Sequence, residues 1–111
     1  MTTIFGKIIA GQIPCKKAFE NERILAIEDI APVAPVHLLI MPKKSIANVQ
    51  AMQKEDLPLL AEIVEVAQQL AKEYSVEEGY RLLTNSGEEA GQTVFHLHFH
   101  LIGGRKLSHL G

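Results

Sequence analysis

Tryptophan is absent and cysteine nearly so: the 111 residues include no Trp, one Cys, two Tyr and four Phe. The single Cys15 closes no internal disulfide, so the fold must rest on apolar burial. With no activating partner evident, Cys15 reads as a small packing residue. Long apolar runs are also missing. The best, residues 36–41, falls far short of the roughly 20 residues that span a bilayer. Residues 1–7 lack the basic region and long apolar core of a secretion signal. These absences predict a cytoplasmic protein with no membrane contact. Charge of one sign is lacking too: 11 Lys+Arg against 13 Asp+Glu leave a net charge of -2, which excludes a field that would gather nucleic acid. What remains, 47% hydrophobic and 22% charged residues, is ordinary soluble composition at a length suited to one domain over residues 1–111.

The apolar pattern then gives the elements. Thr3 as cap, Ile4, Phe5, Ile8 and Ile9 at helical spacing, and Gly11 as stop predict a short helix. Residues 17–20 and 24–28, rich in strand formers, flank the polar turn Asn21-Glu22-Arg23 and predict a hairpin. Two prolines, Pro32 and Pro35, place a loop before a strand at residues 36–41. Ser45 is the expected cap of a single turn through Val49. A long helix follows from near Asp56, tolerating Pro58 in its first turn, with Leu60, Val64, Ala67, Ala71 and Tyr74 as its expected apolar stripe. Strands at residues 80–84 and 94–102 close the chain, separated by a loop containing Gly87 and Gly91. Short links between successive strands favour antiparallel pairing, with the helices expected on one face of the sheet. The fold class is α+β, a five-stranded antiparallel sheet with two helices.

The segment Val94-Phe95-His96-Leu97-His98-Phe99-His100-Leu101-Ile102 carries the chemistry. Alternation along a strand would put His96, His98 and His100 on one face and Leu97, Phe99 and Leu101 on the core face. A His-rich outer face would account for the pattern without function, but it leaves several ring nitrogens needing partners. A metal site is a second reading, since imidazole is a common ligand for zinc, copper or nickel. Nucleophilic catalysis at phosphorus is a third, because imidazole is a competent nucleophile near neutral pH. Spacing alone does not separate the last two.

The His-apolar-His-apolar-His-apolar-apolar run at residues 96–102 resembles the signature of the histidine triad superfamily of nucleotide hydrolases and transferases. The likeness extends to Thr3-Ile4-Phe5-Gly6-Lys7-Ile8-Ile9, Asp29-Ile30-Ala31-Pro32, Ala34-Pro35-Val36-His37, Gly79-Tyr80-Arg81, Gly91-Gln92 and Gly103-Gly104-Arg105, in the manner of its nucleotide-binding branch. The resemblance implies a phosphoramidase that cleaves purine nucleoside 5'-phosphoramidates and related acyl-adenylates through a covalent nucleotidyl-histidine intermediate. It makes His98 the nucleophile. His100 and His37 would hold phosphate oxygens, and His96 would fix the imidazole arrangement. Thr93 would donate toward the leaving group or phosphate, with Asn85, Gly91 and the amides around Thr93 and Val94 completing the phosphate site. Asp29 would receive the ribose hydroxyls, and Ile4, Phe5, Ile8, Ile27 and Ile30 would form the base pocket.

The same resemblance implies a homodimer joined through a ten-stranded sheet, a purine ribonucleotide of the AMP type as partner, and no cofactor or metal. The C-terminal segment, residues 106–111, departs from members with a Trp-containing tail, so it carries no leaving-group preference. His100 stands where uridylyltransferase relatives have Gln, which favours water as acceptor. A dinucleoside polyphosphate hydrolase, a non-catalytic adenosine-nucleotide-binding module and a metal-binding module are the alternatives.

Overall fold

The computed structural model describes residues 3–109, and among them the order is helix, three strands, helix, two strands. Helix α1 spans Ile4–Ile9, β1 Lys17–Glu20, β2 Ile24–Glu28, β3 Val36–Pro42, α2 Pro58–Glu73, β4 Tyr80–Leu83 and β5 Phe99–Gly103. The strands form one antiparallel sheet in the order β1-β2-β3-β5-β4. Local chemistry sets several boundaries. Thr3 Oγ1 accepts the Gly6 N–H at 3.1 Å and caps α1, while Asn21 Oδ1 accepts the N–H groups of Arg23 and Ile24 at 2.9 and 2.8 Å and shapes the β1–β2 turn. Pro58 occupies the first turn of α2, where its missing donor costs nothing. No described helix is long and apolar enough to cross a membrane.

Three expectations need correction. The turn after β3 is capped by Asn48, not Ser45: Asn48 Oδ1 accepts the Ala51 N–H at 3.1 Å and starts a 3-10 turn at Val49–Ala51. On α2 the buried face is Ile63, Val66, Ala67, Leu70 and Ala71, so the stripe is rotated from the one expected and Val64 is 45% exposed. Ala67 and Ala71 satisfy either phase, and the tie is broken by the larger apolar area of Ile63, Val66 and Leu70.

The third correction concerns the layers, because the helices cover opposite faces of the sheet. On one face α2 packs Ile63, Val66 and Leu70 against Ile24, Ala26, Leu38, Ile40 and Leu101. On the other, α1 packs Phe5 and Ile8 against Leu25, Ile27, Leu39 and Met41. The cause lies in β2 and β3, whose continuous apolar runs present buried side chains to both sides and so need two covers. Ile24 and Leu25 are neighbours on opposite faces, and both are fully buried. Ile24→Ala and Leu25→Ala are each expected to cost about 2–5 kcal/mol in urea unfolding. A sheet covered on one side only would show that loss for one of the pair and well under half of it for the other.

Candidate active site

Regular pairing of β5 begins only at Phe99, opposite Ile40, with His100 between Leu39 of β3 and Leu83 of β4. The expected strand over residues 94–102 is therefore too long at its start, and His96 and His98 precede it. The ladder stops because the chain finds other partners. The Leu97 N–H donates to the Ile46 carbonyl at 2.6 Å, and β3 ends in Pro42, which has no N–H to continue the pairing. The Pro42 carbonyl instead accepts from His96 Nε2 at 2.7 Å. His96 is buried and borders a shallow depression with Thr3, Gly6, Lys43 and Ser45, away from the cleft that holds His98 and His100. The three imidazoles do not converge on one point.

That cleft, about 290 Å³, opens between α1 and the ends of β2, β3 and β5. Its apolar wall is Ile4, Phe5, Ile8, Ile27 and Ile30 over a floor including Leu39, and its polar side is Asp29, Thr93, His98 and His100. Ile30 is 98% exposed at the mouth and Ile4 is 50% exposed, an apolar lip kept open to solvent. Val94 also lines the cleft, whereas Asn85 and Gly91 do not. His37 sits beneath it, buried on the α1 face of β3. The Phe5 ring meets the His98 ring edge-on, with centroids 4.9 Å apart.

The hydrogen bonds assign the ring protons. His98 Nδ1 lies 2.7 Å from the His96 carbonyl, which can only accept, so Nδ1 carries the proton. Burial pushes the His98 pKa down from its usual value, leaving a neutral ring whose Nε2 has a free lone pair. The second chain runs the other way. The Val33 N–H donates into His37 Nδ1 at 3.2 Å, so the His37 proton is on Nε2, which donates to His100 Nδ1 at 2.9 Å. Burial, followed by the neighbouring His98 and His37, lowers the His100 pKa to about 4, so this ring is neutral and keeps its proton on Nε2. Two neutral imidazoles with centroids 5.2 Å apart thus hold opposite tautomers, one able to attack and one able to donate.

Asp29 completes this arrangement. One carboxylate oxygen accepts the Ala31 N–H at 2.8 Å, and the other lies 3.4 Å from His37 Nε2. Asp29, His37 and His100 offer ligand atoms within 4.8 Å of one another, a different set from the triad that sequence spacing suggested for a metal. Their donor chemistry fits an ion poorly. His37 Nε2 carries the proton that Val33 forces onto it, and the His100 Nδ1 lone pair already accepts that proton, so a cation would have to break both bonds first.

Two supporting groups lie in segments that carry the family likeness, but the sequence assigned them no role. Gln92 is buried, accepting from Gly87 N–H at 2.8 Å and Asn48 Nδ2 at 3.2 Å while donating to the Ala47 and Val94 carbonyls at 2.7 and 3.0 Å. It ties the loop bearing Thr93 and Val94 to the segment after β3. Arg105 donates to the Val33 carbonyl at 2.8 Å, and Gly104, at φ +94, lies so close to Pro35 that an added Cβ would come within 2.9 Å of it. The chain after β5 thereby holds the proline loop whose amide sets His37. A Gly-Gly-Arg run is visible in sequence, but nothing there says which carbonyl it meets.

Residues 2–109 match the family described as scavenger mRNA decapping enzyme C-term binding. An uncharacterized HIT-like protein of Chlamydia muridarum is 52% identical over 104 residues, covering 94% of this chain and 82% of that protein. Among solved structures, a HIT family hydrolase from Clostridium thermocellum superposes with a TM-score of 0.93 at 46% identity, covering 97% of this chain and 95% of the other. A histidine triad nucleotide-binding protein from Candida albicans does so with a TM-score of 0.82 at 32% identity, covering 99% and 86%.

The lowered histidine pKa values fix a sign for acid stability. Unfolded His titrates near 6.5 and folded His100 near 4, so between these values the unfolded chain binds more protons and stability rises with pH. This contribution is complete above pH 6.5 and is lost as pH falls through about 4. Urea midpoints between pH 7.5 and 4.5 are expected to fall less in a His98→Gln/His100→Gln variant than in the native chain. Equal slopes would mean that the two rings are not held neutral by folding.

Proposed function

Because the chain belongs to the histidine triad family, we propose that it is a nucleotide hydrolase of the phosphoramidase type, cleaving the P–N bond of purine nucleoside 5'-phosphoramidates and the mixed anhydride of acyl-adenylates. The observation that carries this reading is the pair of neutral imidazoles of opposite tautomer at the polar end of an apolar cleft.

His98 Nε2 attacks the α-phosphorus, forming an imidazole–phosphorus bond as the bond to the amine breaks. The departing amine takes up a proton, for which His100 Nε2–H and the Thr93 hydroxyl are the donors at hand. Water then bonds to phosphorus as the bond to His98 breaks; one of its protons returns to the group that protonated the amine, and the nucleoside monophosphate leaves with the His98 ring neutral again. His100 faces the phosphate oxygens, and His37 acts behind it by keeping the His100 proton on Nε2. His96 contributes through its carbonyl, which holds His98 in the attacking tautomer, while its ring anchors the segment to Pro42. The Asp29 carboxylate, with acceptor capacity left beyond the Ala31 amide, suits the ribose hydroxyls, and the isoleucine-rich wall with Phe5 suits a purine face. Neither step calls for a metal or cofactor.

A homodimer belongs to the same reading. The β1 edge is interrupted by an irregularity between Lys17 and Phe19 and lined by the charges of Lys17, Glu20 and Lys43, a guarded edge. The β4 edge, Tyr80–Leu83, is half-buried throughout and unbroken, and its charged residue Arg81 donates to the Ser108 carbonyl, so pairing there through a two-fold axis would give ten strands. A dimer mass in solution at micromolar concentration is expected, and a monomer mass contradicts this part.

The activity is tested with adenosine 5'-phosphoramidate. AMP release by the native chain should survive EDTA, and His98→Ala should lose it by at least about 10³-fold while remaining folded. Turnover that persists in His98→Ala, or that chelator abolishes, overturns the mechanism.

A further inference from the structure

We propose that Thr84 is a positioning residue for the nucleophile, holding the main chain of His98 where the sheet has ceased to hold it. The inference rests on the phosphoramidase reading for its kinetic meaning and on geometry for its structural one. β4 and β5 pair from Tyr80 opposite Gly103 to Leu83 opposite His100, and no regular pair lies beyond. On the other side β5 leaves β3 after Phe99. Phe99 is paired on the β3 side alone and His98 on neither, between two strands, where a carbonyl without a donor is costly. The Thr84 hydroxyl supplies that donor: Oγ1 lies 2.6 Å from the His98 carbonyl oxygen. A side chain has taken the place of a missing main-chain N–H.

The position of this bond gives it consequence. The His98 ring is fixed at Nδ1 by the His96 carbonyl and at its edge by Phe5, and the amide of Leu97 is fixed by Ile46. All of those ties lie on the N-terminal side of the residue or on the ring. Thr84 is the tie on the C-terminal side, between His98 and the regular strand that carries His100. Rotation of the 98–99 peptide would swing Nε2 relative to the His100 donor, and attack at phosphorus is sensitive to such displacement. Binding of the nucleotide depends on the apolar wall and Asp29, which Thr84 does not touch. A positioning role therefore predicts a loss in kcat with little change in KM.

Thr84→Val keeps the shape and removes the hydroxyl, while Thr84→Ser keeps the hydroxyl and removes a methyl. With adenosine 5'-phosphoramidate, Thr84→Val should lower kcat about tenfold with KM within about twofold, and Thr84→Ser should restore most of it. Independently of turnover, the nuclear Overhauser contact between the Phe5 and His98 rings should weaken in Thr84→Val and persist in Thr84→Ser. A native kcat in Thr84→Val, an equal loss in both variants, or an unchanged ring contact in Thr84→Val overturns the proposal. If the native chain itself shows no turnover, the functional reading has failed, and the ring contact still decides the role of Thr84.

Discussion

A backbone group commits one nitrogen of His37, His96 and His98, and the chemistry of the cleft follows from what the other nitrogen is left to do. The His96 carbonyl takes the His98 proton on Nδ1 and exposes a lone pair on Nε2. The Val33 amide fills the His37 lone pair on Nδ1, and the effect passes through one more ring to leave a proton on His100 Nε2. Neutral imidazole has two tautomers of similar energy, so without such partners each ring would be a mixture. Burial keeps both cleft rings neutral, and the backbone chooses between their tautomers.

The rest of the fold sets where those backbone groups lie. The long helix α2 covers one face of the sheet, and the six-residue α1 covers only part of the other, leaving the cleft at its edge. His98, the proposed nucleophile, lies just before β5, held by bonds that are not part of a ladder, and His100, the proposed donor, lies two residues on, inside the ladder. This arrangement sets one imidazole rigidly in the sheet and the other at its frayed end. Gln92, Arg105 and Thr84 each replace pairing that the sheet does not provide.

Much of this was legible in the sequence. The order of elements, the hairpin at Asn21 and the span of α2 follow from patterns within a few residues of one another. The histidines stood out by type and spacing, whereas Asp29 and the apolar residues of α1 entered the candidate site only through the family resemblance. The side of the sheet that each helix covers did not, because Ile24-Leu25-Ala26-Ile27 is apolar at every position and alternation gives no direction. The histidine run was misleading for the opposite reason: its strict alternation suggests one strand face, whereas Leu97 bonds to Ile46 and the ladder breaks at residue 98. Asn85 and Gly91 lie in the right loop but outside the cleft lining. The Val33 amide has no side-chain signature, and the Thr84 hydroxyl matters only because of where β4 stops, a fact of tertiary pairing.

The most direct test is the long-range ¹⁵N–¹H spectrum of the histidine rings in the free protein at pH 7.5, assigned through His98 and His100 variants. The account predicts His98 as the Nδ1–H tautomer and His100 as the Nε2–H tautomer, both neutral. The same tautomer on both rings, a rapidly exchanging mixture on either, or a protonated ring would contradict it.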